Sequence, residues 1–271
     1  MIVKSNCKIN LGLNVVRKRA DGYHDIETVF YPVGLYDSLE IKVSEDEKFR
    51  FSSTGLKIPG ATASNLCVQA YELMREHFNI PAVGIHLEKN IPMGSGLGGG
   101  SSDGAGTLLA LNEIFGLKLS LEHLKAFASR LGSDCTFFIE NKPAFAKGRG
   151  ELLEKLNLSL SGFYILLVIP HLHMNTAEAY AMMEPAGPAR SLKEIAMMPL
   201  NQWKDSMQND FEGPVFRKFP LIGKIKELLY EKGAVYASMS GSGSAVYGIF
   251  NEIPVVEALF PGCFVWVSNR I

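Results

Sequence analysis

The stretch NIPMGSGLGGGSSDGAG, from Asn90 to Gly106, sets glycine after glycine between a strand-like run, VGIHLEKN, and a helix-like run, GTLLALNEIF. Glycine inside a regular element costs about 0.5–1 kcal/mol relative to alanine, so its repetition marks a backbone that side chains would obstruct. Gly94, Gly96 and Gly99 match the G-x-G-x-x-G of dinucleotide sites. That fingerprint also needs an acidic residue about 20 positions on, at the end of the next strand. Leu117–Leu121 stand there instead, at a helix–helix junction. The G-x-x-x-x-G-K-[ST] pattern fails too, because Ser101 and Ser102 follow Gly100 with no lysine. A flexible Gly/Ser linker is the plain alternative. Against it, the loop runs straight into a helix that begins with Ser101, Ser102 and Asp103. What remains is an anion cradle, in which bare backbone N–H groups and a helix N-terminus face a ligand. Each charge-assisted hydrogen bond contributes about 1.5–3 kcal/mol. The helix dipole adds about 0.3–1 kcal/mol. Several N–H donors therefore outweigh the dipole, and a di- or triphosphate has enough oxygens to engage them.

Other residues carry chemistry beside a plainer reading. Lys8 lies in a strand-like segment between Cys7 and Ile9, where most lysines face solvent. Asn10, two residues on, shares its face of the strand. Asp134 follows the helix-stopping Gly132, a usual place for an N-cap or turn aspartate. Tyr23 and His24 follow the Asp21-Gly22 turn, and Tyr180 lies on the helix-like TAEAY, where a core tyrosine is equally consistent with the periodicity. Gly241 and Gly243, in SMSGSGSAVYGIF, fit a hairpin turn. His171-Leu172-His173 alternates two histidines with no third ligand, which is poor grounds for a metal site.

The elements that must position these residues read as a mixture. IVKSNCKINLGLNVV alternates polar and apolar residues as a half-buried strand does. RADGYH breaks it, and DIETVFYPVGLYDSLEIKV and KFRFSST continue as strands. SNLCVQAYELMREHF has helical spacing with Ser64 as N-cap, and SLEHLKAFASRLG is a second amphipathic helix capped by Ser120. SDCTFFIENKPAFAKGRGE reads as a short turn followed by strands, and a seam falls around Leu156–Gly162. Beyond it come a buried strand (Tyr164–Ile169), a helix from NTAEAYAMM, the loop EPAGPARS and the helix PLIGKIKELLYEKG. Two strands in AVYASMSGSGSAVYGIFN, a helix over Val255–Phe260 and a last strand, CFVWVSN, complete the pattern. Strands and helices mix without strict alternation, which favours α+β.

The 271 residues suffice for one large domain or two small ones. Lys+Arg number 27 and Asp+Glu 28, so nothing draws the chain toward nucleic acid or a membrane surface. Four scattered cysteines, with no CxxC, fit a reduced cytoplasmic protein. The N-terminal lysines interrupt any signal-like apolar run, and the longest apolar run, FYILLVIP, is too short to span a bilayer.

At this point PMGSGLGGGSSDGA resembles the phosphate loop of the galactokinase/homoserine/mevalonate/phosphomevalonate (GHMP) kinase superfamily. KINLGLNVVRKRADGYHDIETVF is similar to the N-terminal signature of the 4-diphosphocytidyl-2-C-methyl-D-erythritol kinase family within it. SMSGSGSAVYGIF resembles the third superfamily motif, and NDFE (Asn209–Glu212) also fits. The resemblance implies a two-domain α+β kinase, with an N-terminal ribosomal-protein-like βαβ domain (1–158), a C-terminal ferredoxin-like domain (159–271) and a cleft between them. It implies ATP and Mg²⁺ as cofactors and a small-molecule alcohol as acceptor, in a monomer or weak homodimer. Lys8 and Asp134 become the catalytic pair at the acceptor hydroxyl. Pro92, Met93, Gly94, Ser95, Gly96, Leu97, Gly98, Gly99, Gly100, Ser101 and Ser102 become the phosphate loop, with Asn65 and Lys89 lining the adenine pocket. Tyr23 would stack on a cytosine, His24 read its edge and Tyr180 cover its other face. Asn10 would bond the acceptor or Asp134, and Gly241 and Gly243 would close the substrate site. No side-chain metal cage is implied, with Ser102 the one hydroxyl suited to Mg²⁺. Homoserine and mevalonate kinases are the nearest alternatives, and Tyr23-His24 argues against them, since neither acceptor has a cytosine. Ser95, Ser133 and Thr136 depart from the usual residues at their positions.

Overall fold

Apolar and β-branched residues crowd the first 43 positions, and they form two long strands, β1 (Ile2–Lys18) and β2 (His24–Val43), joined by the Asp21-Gly22 turn. Across that turn Arg19 N–H donates to Tyr23 O at 2.8 Å. The computed structural model describes every residue except His173, Glu184, Ala186, Pro188, Ala189, Glu257 and Ala258. It contains two compact units that interleave along the chain.

The first unit comprises Met1–Cys7, Gly34–Met93 and Gly98–Asn141. Its strand β3 (Arg50–Gly55) leads through helix α1 (Leu66–His77) to β4 (Val83–Lys89), which runs parallel to β3 with Arg50 opposite Gly84. This is a βαβ crossover. β4 also pairs antiparallel with Ser38–Val43 of β2. Period-2 alternation sends Val83, Ile85, Leu87 and Lys89 of β4 to the buried face. Helix α2 (Gly99–Ile114) packs on α1, on α3 (Leu121–Leu131) and on α4 (Cys135–Glu140). Gly104 permits the close approach, since a Cβ there would lie 3.0 Å from Leu66 Cβ.

The second unit comprises Lys8–Val33, Gly94–Leu97 and Lys142–Ile271. Thr28–Phe30 of β2 pair with β5 (Ala144–Lys147), which forms a hairpin with β6 (Leu152–Lys155). A four-stranded antiparallel sheet is built from β7 (Tyr164–Pro170), β8 (Tyr236–Met239), β9 (Val246–Phe250) and β10 (Cys263–Val267), in the order β10-β7-β9-β8. Short helices α5 (Thr176–Ala181), α6 (Leu192–Ala196), α7 (Trp203–Ser206) and α8 (Glu212–Lys218) precede the longer α9 (Pro220–Glu231). Val168, Phe211, Val215, Ile222 and Leu229 belong to one buried cluster with Leu13 of β1.

Four expectations change. β1 is buried on both faces from Ser5 to Val15, so its alternation does not mark a solvent side. Helix α1 is capped by Asn65, whose side chain accepts from Cys67 N–H at 2.9 Å. Ser64 instead donates its hydroxyl to Ala61 O at 2.7 Å. The segment after Asp134 is the helix α4, not strand, and Asn141 ends it in the left-handed conformation at φ 53°. The helix expected over Val255–Phe260 includes two residues outside those described, and its described residues are not helical.

Candidate active site

Lys8 is 3% exposed although it is a lysine in a strand. Its Nζ donates to Asn10 Oδ1 at 2.6 Å and to Gly96 O at 3.1 Å, and it sits 4.8 Å from the centroid of the Phe30 ring. Gly96 O also accepts from Ser240 Oγ at 3.0 Å. Asn10 is held on every side: Nδ2 donates to Thr28 Oγ1 at 3.0 Å, its N–H to Ser240 Oγ at 3.2 Å, and its O accepts from Tyr247 OH at 2.8 Å. The neighbouring carbonyls are taken as well, Ser95 O by Ala245 N–H at 3.0 Å and Leu97 O by Lys8 N–H at 2.9 Å. In a trans peptide the N–H points opposite the C=O. Pinning the carbonyls of Ser95, Gly96 and Leu97 therefore turns the amides of Gly96, Leu97 and Gly98 the other way, as an anion cradle requires. Gly96 has φ +82°, and a Cβ there would lie 2.1 Å from Ser240 O, so only glycine fits. Gly241 and Gly243 form the turn beside it, with Asn10 Oδ1 3.3 Å from where a Gly241 Cβ would stand.

In the same unit the His24 ring lies parallel to Tyr180, centroids 4.8 Å apart and planes at 15°. Tyr180 meets the edge of Phe211 at 4.9 Å. Tyr23 is 58% exposed, with the Arg149 guanidinium 5.0 Å above its ring. Burial first, then the charge of Lys18, hold the His24 imidazole below its ordinary pKa. His24 is thus a ring stacked against Tyr180.

In the first unit the glycine-rich loop continues as Gly98, left-handed at φ +72°, caps α2. Ser102 N–H closes the first turn onto Gly98 O at 2.9 Å. Beside Gly100 lies a pocket of ≈ 200 Å³ whose walls include Asn65, Lys89, Met93, Phe51, Thr62 and Asp103. Lys89 is buried, and its ammonium bonds Asp37 and, at 2.8 Å, Asp103 Oδ2. Asp37 also accepts from Asn90 N–H at 2.6 Å and Ile91 N–H at 2.8 Å. Burial, with the nearby Asp37 charge, pushes the Asp103 carboxyl up to about 7 against the pull of Lys89. Asp103 Oδ1 is buried with no hydrogen-bond partner. Asp134 is half-buried at the N-cap position of α4 and makes no capping bond. Burial pushes the adjacent Cys135 thiol up to about 12, which disfavours thiolate chemistry there. Among the described residues no group of three His, Cys, Asp or Glu side chains is arranged to hold a metal, and no helix is long and apolar enough to cross a membrane.

Residues 65–142 match the model of the GHMP kinases N terminal domain, and residues 189–260 match that of the GHMP kinases C terminal. The chain is 50% identical over 272 residues to a 4-diphosphocytidyl-2-C-methyl-D-erythritol kinase of Bacteroides fragilis (strain YCH46), covering 99% of each. The chain belongs to this kinase family. A crystal structure of 4-(cytidine 5'-diphospho)-2C-methyl-D-erythritol kinase superposes on it with a TM-score of 0.83 at 32% identity, covering 98% of each chain. Homoserine kinase from Cytophaga hutchinsonii shares the fold alone, with a TM-score of 0.69 at 17% identity over 98% of this chain and 94% of that one. The kinase therefore has the two-domain α+β GHMP fold, and it uses ATP.

Within the second unit of the kinase, Lys8, Asn10, Gly96, Gly241 and Gly243 come together, and His24 meets Tyr180. Within the first, Asn65, Lys89, Met93 and Gly100 share one pocket. Lys89 enters that pocket with its ammonium already bound to two carboxylates. Asp134 belongs to the first unit and Lys8 to the second. The His171–His173 pattern includes His173, which lies outside the described residues. Sequence reasoning passed over Ser240, Thr28, Tyr247, Asp37 and Asp103. The buried-face position of Lys89 was the one available signal for Asp37 and Asp103, since a buried ammonium needs carboxylates.

Proposed function

We propose that this kinase transfers the γ-phosphoryl group of ATP to the tertiary 2-hydroxyl of 4-diphosphocytidyl-2-C-methyl-D-erythritol, a step of non-mevalonate isoprenoid precursor synthesis in the cytoplasm. The acceptor oxygen bonds the γ-phosphorus, the bond from that phosphorus to the β,γ-bridging oxygen breaks, and ADP leaves. The hydroxyl proton passes to Asp134. It orients the hydroxyl and takes the proton late in the transfer. Lys8 softens the negative charge between the reactants, and positioning with charge neutralisation supplies most of the rate. The backbone donors of 92–102 grip the triphosphate, and the pocket walled by Asn65 and Lys89 takes the adenine. The Ser102 hydroxyl is the side chain that would hold a Mg²⁺ ion brought with the ATP, which when bound would neutralise phosphate charge. Tyr23, His24 and Tyr180 hold the cytosine, with burial and then the charge of Lys18 favouring the neutral His24 imidazole. The same reading keeps a functional division at 1–158 and 159–271, and a monomer or weak homodimer.

The observation that carries the reading is one shared acceptor: Gly96 O receives both the Lys8 ammonium of the N-terminal signature and the Ser240 hydroxyl of the third motif. ADP release with a panel of alcohols tests it. The cytidylyl substrate is expected to be phosphorylated, with homoserine and mevalonate inert. Turnover of homoserine or mevalonate alone would overturn the substrate assignment.

A further inference from the structure

The segment Asn209-Asp210-Phe211-Glu212 has no part in the chemistry above, yet each of its side chains takes a specific partner in the second unit. Asn209 is 3% exposed, and its single Nδ2 donates to both Met239 O and Gly241 O at 2.8 Å. Its Oδ1 accepts from Phe211 N–H at 3.0 Å, which fixes which end of the amide faces the turn. Glu212 Oε1 accepts from Met239 N–H at 2.9 Å, so Met239 is held at both its N–H and its C=O. Lys226 donates to the other Glu212 oxygen at 2.5 Å. Asp210 Oδ2 accepts from Val15 N–H at 2.7 Å, and Asp210 N–H donates to Leu13 O at 2.8 Å. Phe211 supports Tyr180 edge-on.

The segment therefore ties β1, which carries Lys8 and Asn10, to the turn that carries Ser240 and Gly241. From Ser240 the line continues to Gly96 O and Asn10, and from both of these to Lys8 Nζ. Only a side chain with two donors on one nitrogen, at the reach of an asparagine, can bond Met239 O and Gly241 O together. Aspartate keeps the shape and the acceptor for Phe211 but loses the donors.

We propose that Asn209 is a positioning residue for phosphoryl transfer: by holding Met239 O and Gly241 O it sets Ser240 against Gly96 and so aims the Lys8 ammonium. The proposal rests on the reading that Lys8 serves the reacting hydroxyl.

Steady-state kinetics on Asn209→Asp, Ser240→Ala, their double variant and Lys8→Met test it, with thermal melts on each. Asn209→Asp is expected to lower kcat on the order of 100-fold, the scale of an ångström's misplacement. KM for ATP and for the alcohol should stay within about threefold, because the lost contact acts in the transition state. Since both changes break one line, the double variant should fall no more than about threefold below the worse single one. Ser120→Ala, which removes the cap of α3 in the other unit, serves as the control that lowers the melting temperature without lowering kcat. Unchanged kcat in Asn209→Asp, or losses that multiply in the double variant, would overturn the proposal. If Asn209→Asp fails to fold, Ser240→Ala decides alone: a normal kcat overturns it, and a loss of about tenfold or more at steady KM supports it. Full turnover in Lys8→Met refutes the role given to Lys8. If wild type acts on another alcohol instead, the same set is run with that alcohol, so the substrate assignment fails separately from the clamp.

Discussion

Replacing Lys89 with methionine opens the buried Asp37–Lys89–Asp103 group, where side-chain exposures are 0%, 1% and 3%. Asp37 keeps the amides of Asn90 and Ile91 after the change. Asp103 loses the partner of Oδ2, and its Oδ1 has none. Removing one member of a buried ion pair costs about 3–5 kcal/mol. Methionine retains most of the stem, so little cavity is added, and Asp103 can relieve its charge by taking a proton. The lower end, about 3 kcal/mol, is expected, which lowers the melting temperature by roughly 10 °C in a chain of this size. The pH dependence identifies the cause. In the wild type the folded chain keeps the Asp103 proton between about pH 4 and about pH 7, where the unfolded chain has released it. Stability therefore declines as pH rises through that window and levels off above it. Without the Lys89 cation the carboxyl pKa rises further, so the decline continues at up to about 1.4 kcal/mol per pH unit. The deficit of Lys89→Met should widen by about 1 kcal/mol from pH 7 to pH 8. Melts followed by circular dichroism on either side of neutrality read this directly, and adding Asp103→Asn should flatten the pH trend. A deficit that does not change with pH, or a wild-type melting temperature in Lys89→Met, would refute the reasoning.

Three further outcomes are expected. Asp134→Ala should lose turnover by about 10²–10⁴-fold while still binding ATP, as isothermal titration would show. Gly96→Ala forces a Cβ to 2.1 Å from Ser240 O at φ +82°, so kcat/KM for ATP should collapse by at least about 100-fold. Retained activity would mean the loop is not held as described. Tyr180→Ala removes the ring stacked on His24, and stacking of a base is worth about 1–3 kcal/mol, so KM for the cytidylyl substrate should rise by about tenfold or more. KM for ATP serves as the internal reference and should not follow it.

Much of the fold was legible because long elements carry their own signals. The hairpin at Asp21-Gly22, the helix that opens at the glycine run and the strands on either side of Gly241 all stand where turn chemistry and periodicity put them. The six residues CTFFIE of α4 misled because aromatic and β-branched types mimic a strand, and so short a helix shows less than two turns of spacing. Ser64 and Asn65 are both good caps, and the choice fell to the one whose side chain reached Cys67. Burial of Lys8 was hidden because β1 alternates polar and apolar residues as a half-buried strand does, yet is covered on both faces. Lys89, by contrast, falls in step with Val83, Ile85 and Leu87, and its burial could be read from the strand alone. The roles of Ser240 and Asn209 depend on bonds to residues far off in sequence, Asn10 to Ser240 being 230 positions apart. No local pattern encodes such a pairing.

The most direct measurement is ³¹P nuclear magnetic resonance of a reaction containing ATP, Mg²⁺ and the cytidylyl erythritol. The account predicts ADP together with an equal amount of a new phosphomonoester attached to the tertiary carbon at position 2, with both products at least about 100-fold lower for Asp134→Ala within the same time. A monoester on any other hydroxyl, or ADP accumulating with free phosphate and no ester, would contradict it.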